Sequence, residues 1–237
     1  MNPFTSLRAP IDAEEEMDAV ELPPARYAKV LADLSWINAL TLAARPTLNF
    51  LDRIAARRAG DRPWRILDVG FGSGDMLARI SCWGTRHDIA LDLVGIDLNP
   101  KSAAVAEALL GARARLITGD YRDLAGQGWD MILSSLVTHH MTPIQRIEFL
   151  RFMNDEAARG WLVNDLHRQR LPFAGYPLLA VLAGADPIVR RDGQLSVGRS
   201  FRRAEWQAML AEALPETASH IRIFRSFPYR LCVERIR

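Results

Sequence analysis

The sequence predicts an α/β protein whose mostly parallel sheet ends in an antiparallel hairpin. Between residues 64 and 165, short apolar segments alternate with segments of helical periodicity, which is typical of βαβ units. Two further strand-like segments, 220–227 and 229–236, are separated only by Pro228. Because no crossover helix fits between them, we expect these two strands to pair antiparallel.

Two helices are predicted ahead of the first strand, and we expect them to form an N-terminal helical lid over residues 23–60. Pro24 stands where a helix can begin, and apolar residues then recur at helical spacing. Pro46 is expected to begin the second helix, which runs to about residue 58. Residues 1–22 are rich in acidic side chains and are expected to be a flexible, loosely attached terminus.

Residues 61–237 are expected to form one domain around the sheet. Its parallel strands are predicted at 65–69, 92–97, 113–118, 129–134 and 160–165, with helices at 74–83, 100–110 and 142–154. Right-handed crossovers place such helices on both faces of the sheet. An insertion at 166–201 then supplies an apolar helix near 173–182 and a polar loop, and a helix at 203–213 follows it.

The composition is that of a globular protein large enough to bury a substantial core, with 237 residues and 49% hydrophobic residues. The net charge is only +2 and the basic residues form no stripe, so a nucleic-acid partner is not expected. The two cysteines have no CxxC partner, which favours a reduced, cytoplasmic location. The N-terminus does not resemble a secretory signal. The longest apolar run, within 171–185, is too short for stable membrane insertion.

A glycine-rich turn follows the first predicted strand, with the sequence Asp68-Val69-Gly70-Phe71-Gly72-Ser73-Gly74. Glycines allow a sharp turn and a close approach of a ligand, and the next helix presents free N–H groups at its start. The dinucleotide fingerprint would need glycine at position 75, where Asp75 stands. Asp68 repels a diphosphate but suits a cationic ligand. An NAD(P)-dependent oxidoreductase and a turn without any ligand are the alternatives.

Acidic residues also end the next two predicted strands. Asp97, followed by Leu98, can accept hydrogen bonds from both hydroxyls of a ribose, or it can cap the helix that Pro100 begins. Asp120 can accept the exocyclic amine of adenine while Tyr121 covers the ring, or the two can belong to a surface turn. Since the strands are parallel and adjacent, these acids are expected at one edge of the sheet.

With these motifs the chain resembles the class I S-adenosylmethionine-dependent methyltransferases, in particular the ubiquinone/menaquinone-biosynthesis-like and type 11/12 small-molecule groups. The matching segments are 67–74, 94–97, 118–121 and 129–132, and they cover residues 65–165. The resemblance implies a Rossmann-like sheet of seven strands whose last strand is antiparallel, and S-adenosyl-L-methionine as the cofactor. The cofactor residues that it implies are Asp68, Gly70, Gly72, Gly74, Asp97, Leu98, Asp120, Tyr121 and Ser134.

The segment from Ser134 to His140 lies under the methyl donor in this family, so it is expected to hold the catalytic groups. It lacks the Asn/Asp-Pro-Pro-aromatic element of DNA methyltransferases, and it lacks the carboxylates that a Mg²⁺ site would need. His139 and His140 titrate near neutral pH, so either can deprotonate a hydroxyl, and we prefer His140. The alternative is that one histidine packs in the core and the other caps a helix.

The fifth predicted strand ends in further polar side chains. Asp165 and His167 are alternative bases, and Arg168 can anchor an acidic substrate or form a surface salt bridge. A zinc site would need ligands beyond the two histidines, and the sequence identifies none, so no metal is expected.

Aromatic residues are expected to roof an apolar pocket for the methyl acceptor. They are Tyr176 in the insertion and Tyr27 and Trp36 in the first helix, and core packing is the alternative for each. We therefore expect methyl transfer to a small apolar or aromatic acceptor, first of all to the hydroxyl of a phenol or polyketide. C- or N-methylation is the alternative. The protein is expected to be a monomer or a homodimer.

Overall fold

A computed structural model of the chain describes residues 7–19, 21–57 and 62–237. Within them, a single sheet has the strand order β3-β2-β1-β4-β5-β7-β6. Strands β1 to β5 pair parallel, and β7 pairs antiparallel with both β5 and β6. The predicted mostly parallel sheet with its antiparallel hairpin is therefore confirmed. The strands are β1 (Trp64–Val69), β2 (Leu91–Asp97), β3 (Arg115–Thr118), β4 (Trp129–Ser135), β5 (Ala157–Leu166), β6 (Arg222–Ser226) and β7 (Arg230–Ile236).

Helices lie before, between and after the strands, and several begin where the sequence carries a start signal. Pro100 and Pro143 each occupy a first helical turn, and Thr142 and Gln145 form a capping box ahead of the second of these helices. The helices are α1 (Pro24–Leu40), α2 (Arg45–Ala55), α3 (Asp75–Arg86), α4 (Pro100–Leu110), α5 (Pro143–Glu156), α6 (Arg170–Leu182), α7 (Pro187–Arg199) and α8 (Arg203–Ala213).

Each face of the sheet carries its own hydrophobic core, because side chains alternate between the faces along every strand. Leu67 and Ile132 lie on the face covered by α5 and α8. Their neighbours Ile66 and Met131 lie on the opposite face, covered by α2, α3 and α4. All four side chains are buried. Because both faces are covered, the ends of the strands are the places where a ligand can reach the sheet.

Residues 187–199, expected as a polar loop, form the helix α7, and this part of the prediction was wrong. Asp186 caps the helix by accepting a hydrogen bond from Ile188 N at 2.9 Å. Two glycines of this helix lie at close contacts: a Cβ on Gly193 would lie 1.9 Å from Tyr176, and one on Gly198 would lie 2.4 Å from Ile11. The glycines therefore allow neighbouring segments to approach the helix.

The described part of the N-terminus, residues 7–19, lies against α7, although we expected it to be loosely attached. The carboxylate of Asp192 accepts hydrogen bonds from the backbone N–H groups of Glu16 and Met17, at 3.0 and 2.8 Å. Ile11 N donates to Gly198 O at 3.0 Å. Positions 1–6 and 20 of the expected flexible terminus, and 58–61 around the end of the expected lid, lie outside the described residues.

The helical lid over the site consists of three helices. Val30 and Ile37 of α1 pack against Ala180 of α6 and against Ile188 and Val189 of α7. Of the two N-terminal helices, α1 therefore packs with the helices of the insertion, whereas α2 packs on the sheet. No helix in the described segments has the length and hydrophobicity needed to cross a bilayer.

Candidate functional site

The glycine-rich turn is held in a backbone conformation that only glycine adopts without strain. Gly70, Gly72 and Gly74 have φ angles of +80°, +52° and +77°. A Cβ on Gly70 would lie 2.3 Å from Val137 Cγ2, whereas a Cβ on Gly72 would meet nothing closer than Leu31, at 3.9 Å. The turn is therefore packed from behind at Gly70 and open at Gly72, where a ligand can approach the main chain.

Asp68 lies buried at the end of β1 beside this turn. Burial, followed by the charges of Asp75 and Asp97, raises the pKa of Asp68 to about 7. Its Oδ1 atom is buried and has no hydrogen-bond partner among the described residues. A buried carboxylate without a partner is costly, and a cation nearby would stabilise it. The turn therefore fits the cationic ligand that the sequence predicts there.

Asp97 lies half-buried at the tip of β2, and its carboxylate binds the glycine turn. Oδ2 accepts from Gly72 N at 2.9 Å, and Oδ1 accepts from Asn99 N at 2.8 Å. The next residue, Leu98, is 73% exposed and offers an apolar surface beside the carboxylate. This arrangement fits a ribose with an adjoining base.

Asp120 and Tyr121 follow β3, and both have partners within the protein. Arg122 donates to both oxygens of Asp120, at 3.0 and 2.6 Å, and holds the pKa of that carboxyl below its usual range. The Tyr121 ring packs on Phe149 and Phe152 of α5, with ring centroids 4.9 Å away in each case. An adenine amine would therefore share the Asp120 carboxylate with Arg122.

Ser134, at the end of β4, holds the strand rather than presenting its hydroxyl to a ligand. Its Oγ donates to Val69 O at 3.1 Å, and the side chain is buried. This hydrogen bond ties β4 to the start of the glycine turn. Gly74 likewise serves packing, because a Cβ there would lie 2.8 Å from Leu110 of α4.

A cavity of about 540 Å³ lies beside the turn, and its wall combines three parts of the chain. The first part is the turn itself, from Gly70 to Asp75. The second is the pair His139 and His140 with Glu15. The third comprises α1, α6 and α7 together with residues 228–230 of the hairpin. The cavity therefore connects the predicted cofactor turn with the predicted catalytic histidines.

His139 is oriented by Asp165, which ends β5. The distance from His139 Nδ1 to Asp165 Oδ1 is 2.7 Å, and Asp165 also accepts hydrogen bonds from Thr138 Oγ1 and Leu166 N. Burial alone would raise the pKa of Asp165, but the charge and hydrogen bond of His139, together with these donors, hold it at about 2. Because an ionised carboxylate only accepts, His139 Nδ1 carries the proton that is donated to Asp165.

Glu15 approaches both histidines from the N-terminal segment. Its carboxylate oxygens lie 3.8 Å from His139 Nε2 and 3.8 Å from His140 Nε2, and Ser196 Oγ donates to it at 2.8 Å. The two imidazole rings are 4.3 Å apart. Glu15, His139 and His140 each offer a ligand atom within 4.8 Å of the others, so this spacing would also suit a cation. Hydrogen-bond partners on Glu15 and His139 favour a proton-transfer cluster.

Two of the residues expected around the acceptor do not reach the cavity. The Tyr27 hydroxyl is 2.9 Å from Ser102 Oγ in the contact between α1 and α4, and its ring is buried there. Trp36 is 56% exposed on the outer side of α1 and is absent from the cavity wall. Only Tyr176 of the three predicted aromatic residues lines the cavity.

The polar residues after β5 also have partners in other parts of the protein. His167 Nδ1 lies 2.7 Å from Gln169 Nε2, and burial and the charge of Arg225 lower its pKa. Arg168 is buried and donates to the carbonyl oxygens of Leu7 and Ser200 and to the Glu205 carboxylate. Neither side chain lines the cavity.

The sequence analysis missed three charged residues of the cavity wall, Glu15, Asp192 and Arg230. Glu15 belongs to an acidic run that has the composition of a solvated tail. Arg230 begins β7, and an antiparallel strand places its first residue at the edge where the parallel strands end. That consequence of the predicted hairpin was a usable signal for Arg230, whereas Glu15 had none.

Known proteins share this fold and the turn that it carries. Residues 66–158 match the family described as methyltransferase domain. A magnesium protoporphyrin IX methyltransferase from Synechocystis PCC 6803, solved with S-adenosylhomocysteine, has 15% identity and a TM-score of 0.53, over 90% of this chain and 86% of that one. The plantazolicin methyltransferase BamL has 15% identity and a TM-score of 0.63, and the match covers 84% of this chain and 71% of that one.

A putative O-methyltransferase from Nostoc punctiforme PCC 73102 has 14% identity and a TM-score of 0.59, and the match covers 90% of this chain and 60% of that one. No curated protein matches the sequence. At such identities the structural likeness shows a common fold, while the family match covers β1 to the start of β5 with the glycine turn and both histidines. Residues 66–158 therefore match a methyltransferase domain, on a fold shared with methyltransferases that were solved with S-adenosylhomocysteine.

Proposed function

We propose that the protein transfers the methyl group of S-adenosylmethionine to a hydroxyl of a small apolar or aromatic acceptor bound in the cavity. The observation that carries this proposal is the single cavity of about 540 Å³, which the glycine turn and the His139–Asp165 pair both line or support. A volume of that size accommodates a drug-sized molecule. One structural neighbour is described as a putative O-methyltransferase, in line with transfer to oxygen.

The residues of the turn are suited to hold the cofactor. S-adenosylmethionine, when bound, supplies a methyl group already activated by the sulfonium. Asp97 accepts hydrogen bonds at the tip of β2 and suits the ribose, and the open side of Gly72 allows the main chain to be approached. Asp68, without a partner at Oδ1, favours positive charge beside the turn. The task left to the protein is to align the acceptor and to exclude water.

His139 is the proposed base that removes the proton of the acceptor hydroxyl, with Asp165 as its positioning residue. Asp165 fixes the ring through the hydrogen bond at Nδ1, in the way that a carboxylate orients histidine in hydrolases. The sequence favours His140, whereas the structure places Asp165 beside His139, with 2.7 Å between His139 Nδ1 and Asp165 Oδ1. Glu15, 3.8 Å from both Nε2 atoms, can stabilise the proton after transfer.

The proposed function is tested first by cofactor binding. Isothermal calorimetry is expected to detect binding of S-adenosylmethionine and of S-adenosylhomocysteine. Asp97→Ala is expected to lower the affinity for both compounds by at least about tenfold, because charge-assisted hydrogen bonds are lost. Asp92→Ala, at the exposed start of the same strand, is the matched control and should bind normally. Absence of binding to the wild type, or equal binding by Asp97→Ala, would contradict the proposal.

Transfer itself is measured with labelled S-adenosylmethionine and a panel of hydroxylated aromatic compounds. Label is expected on acceptor oxygen, and EDTA is expected to leave the rate unchanged because the cluster at Glu15 is interpreted as a proton relay. Label found only on carbon or nitrogen of the acceptor would show that the reaction is C- or N-methylation and not O-methylation. If EDTA abolished activity and Zn²⁺ or Mg²⁺ restored it, the Glu15–His139–His140 cluster would be a metal site and the proton-relay interpretation would be wrong.

Cofactor binding is expected to depend on pH through Asp68. Its pKa is raised from 3.8 to about 7. The contribution of this carboxyl to the free energy of unfolding is therefore fully present below about pH 4 and is lost as the pH rises through 7. A cationic ligand favours the ionised form, so affinity for S-adenosylmethionine should rise roughly tenfold between pH 6 and pH 8. Asp68→Asn should flatten this rise in calorimetric titrations. The same slope in the variant would show that another group titrates.

A further inference from the structure

Arg230 is the first residue of β7, and its side chain is part of the cavity wall. In the sheet it lies opposite Leu166, the last residue of β5. The antiparallel strand therefore brings an arginine to the same edge as the glycine turn and Asp165. Asn38 of α1 and Tyr176 of α6 also line this cavity.

The Arg230 guanidinium is buried with two of its three nitrogens unsatisfied. The side chain is 3% exposed. Nη2 donates to Asn38 Oδ1 at 3.3 Å, whereas Nε and Nη1 have no hydrogen-bond partner within the described chain. A buried cation without a counter-charge is strongly unfavourable, and nearly all buried polar groups of native proteins are satisfied. The missing partner is therefore to be sought in the cavity.

Asp165 and Asp75 are the carboxylates whose charges act on Arg230, and both have other partners. Asp165 binds His139 and Thr138, and Asp75 accepts a hydrogen bond from Ser73 Oγ at 3.3 Å. Burial lowers the pKa of Arg230, and the charge of Asp165 opposes this without a direct contact. No carboxylate among the residues that the structure describes forms a salt bridge with Arg230, so the anion must come with the ligand.

The other arginine near this edge is differently placed. Arg168 donates to three backbone carbonyls and to Glu205, and it lies away from the cavity. The structural role of Arg168 is therefore accounted for by protein contacts, and that of Arg230 is not. The same wall includes the apolar residues Ile37 and Leu179 and the carboxylates of Glu15, Asp75 and Asp192.

We propose that Arg230 binds a carboxylate of the methyl acceptor, so that the substrate is an apolar or aromatic acid with a hydroxyl to be methylated. This proposal rests on the function proposed above and narrows its substrate class. The planar guanidinium matches a carboxylate, and the low polarity around it strengthens the pairing. The apolar body of the acid would lie against the helices of the lid, with its hydroxyl towards His139.

The experiment compares three aromatic acids with their primary amides, which are nearly the same in shape but uncharged. The acids are 4-hydroxybenzoate, indole-3-carboxylate and 2-naphthoate, and binding is measured by calorimetry with and without saturating S-adenosylhomocysteine. At least one acid is expected to bind wild type about 30-fold or more tightly than its amide, since loss of a buried charge pair typically costs 2 kcal/mol or more. Arg230→Met should abolish the preference, and Arg225→Met, on the exposed side of β6, should retain it.

The melting temperature of Arg230→Met is a second measurement. If Arg230 had a structural role, its replacement would lower the melting temperature. If Arg230 binds a ligand and has no counter-charge in the protein, we expect Arg230→Met to melt at the same temperature as wild type or at a higher one. A lower melting temperature, equal affinity for acids and amides, or failure of all three acids to bind would overturn the proposal. Because S-adenosylhomocysteine binding is measured separately, those outcomes remain distinct from a failure of the methyltransferase function itself.

Discussion

Replacement of His139 by glutamine is expected to lower the rate of methyl transfer about 10²–10⁴-fold, the usual contribution of a general base. Glutamine keeps a polar side chain of similar size, but it cannot accept a proton from the acceptor. Asp165 would lose its imidazole partner while keeping the hydrogen bonds from Thr138 and Leu166. The measurement is single-turnover transfer with an acceptor from the panel, and S-adenosylhomocysteine binding should change less than about twofold.

His140 provides the matched control for this prediction. The two rings are neighbours, with centroids 4.3 Å apart, yet only His139 is bound to Asp165. His140→Gln is therefore expected to lower the rate by no more than about tenfold. If His140→Gln proves the more damaging variant, His140 is the base, as the sequence alone suggested. If neither variant slows transfer, the acceptor loses its proton without help from the protein.

Substitution of Gly70 by alanine is expected to destabilise the protein by about 2–5 kcal/mol and to abolish detectable cofactor binding. The cost combines the strain of a non-glycine residue at φ +80° with a Cβ placed 2.3 Å from Val137 Cγ2. The turn can relieve that clash only by moving into the space where the cofactor is expected. A fall in melting temperature of about 5–20 °C and loss of the calorimetric signal would be measured together.

Two further variants separate the strain from the clash. Gly126 has φ +72° with nothing near its missing Cβ, so Gly126→Ala should show the strain alone, roughly 1–2 kcal/mol. Val137→Ala combined with Gly70→Ala removes the atom that clashes and should recover part of the lost stability. Equal effects of the two glycine substitutions would show that Val137 does not constrain the turn.

The sheet and the cofactor edge could be predicted because both depend on local patterns. Alternation of apolar residues, seen at Ile66 and Leu67, determines which face of the sheet each side chain covers. The acids at 68, 97 and 120 follow strands directly, so their position at one edge follows from the parallel order. Helix α7 was missed because Gly193 and Gly198 lower helical propensity, and the packing that requires them is formed by distant residues.

The acceptor side could be predicted much less well, for the same physical reason. Arg168 and Arg230 look alike in sequence, and they differ only in whether carbonyl and carboxylate groups from remote segments satisfy them. Glu15 reaches His139 only because residues 7–19 lie along α7. Such contacts include pairs that lie 37 and 161 residues apart, and no periodicity or short motif encodes them.

The cavity wall has two origins, and this has a consequence for how the protein can change over evolutionary time. The donor side is built by the turn after β1 and the tip of β2, whereas Glu15, Tyr176 and Arg230 come from segments outside the matched domain at 66–158. Mutations in those outer segments can alter which acceptor is accepted without touching the residues that hold the donor. Selection can thus act on substrate preference and on cofactor affinity almost independently, and an enzyme with a new acceptor can arise while the donor site stays constant.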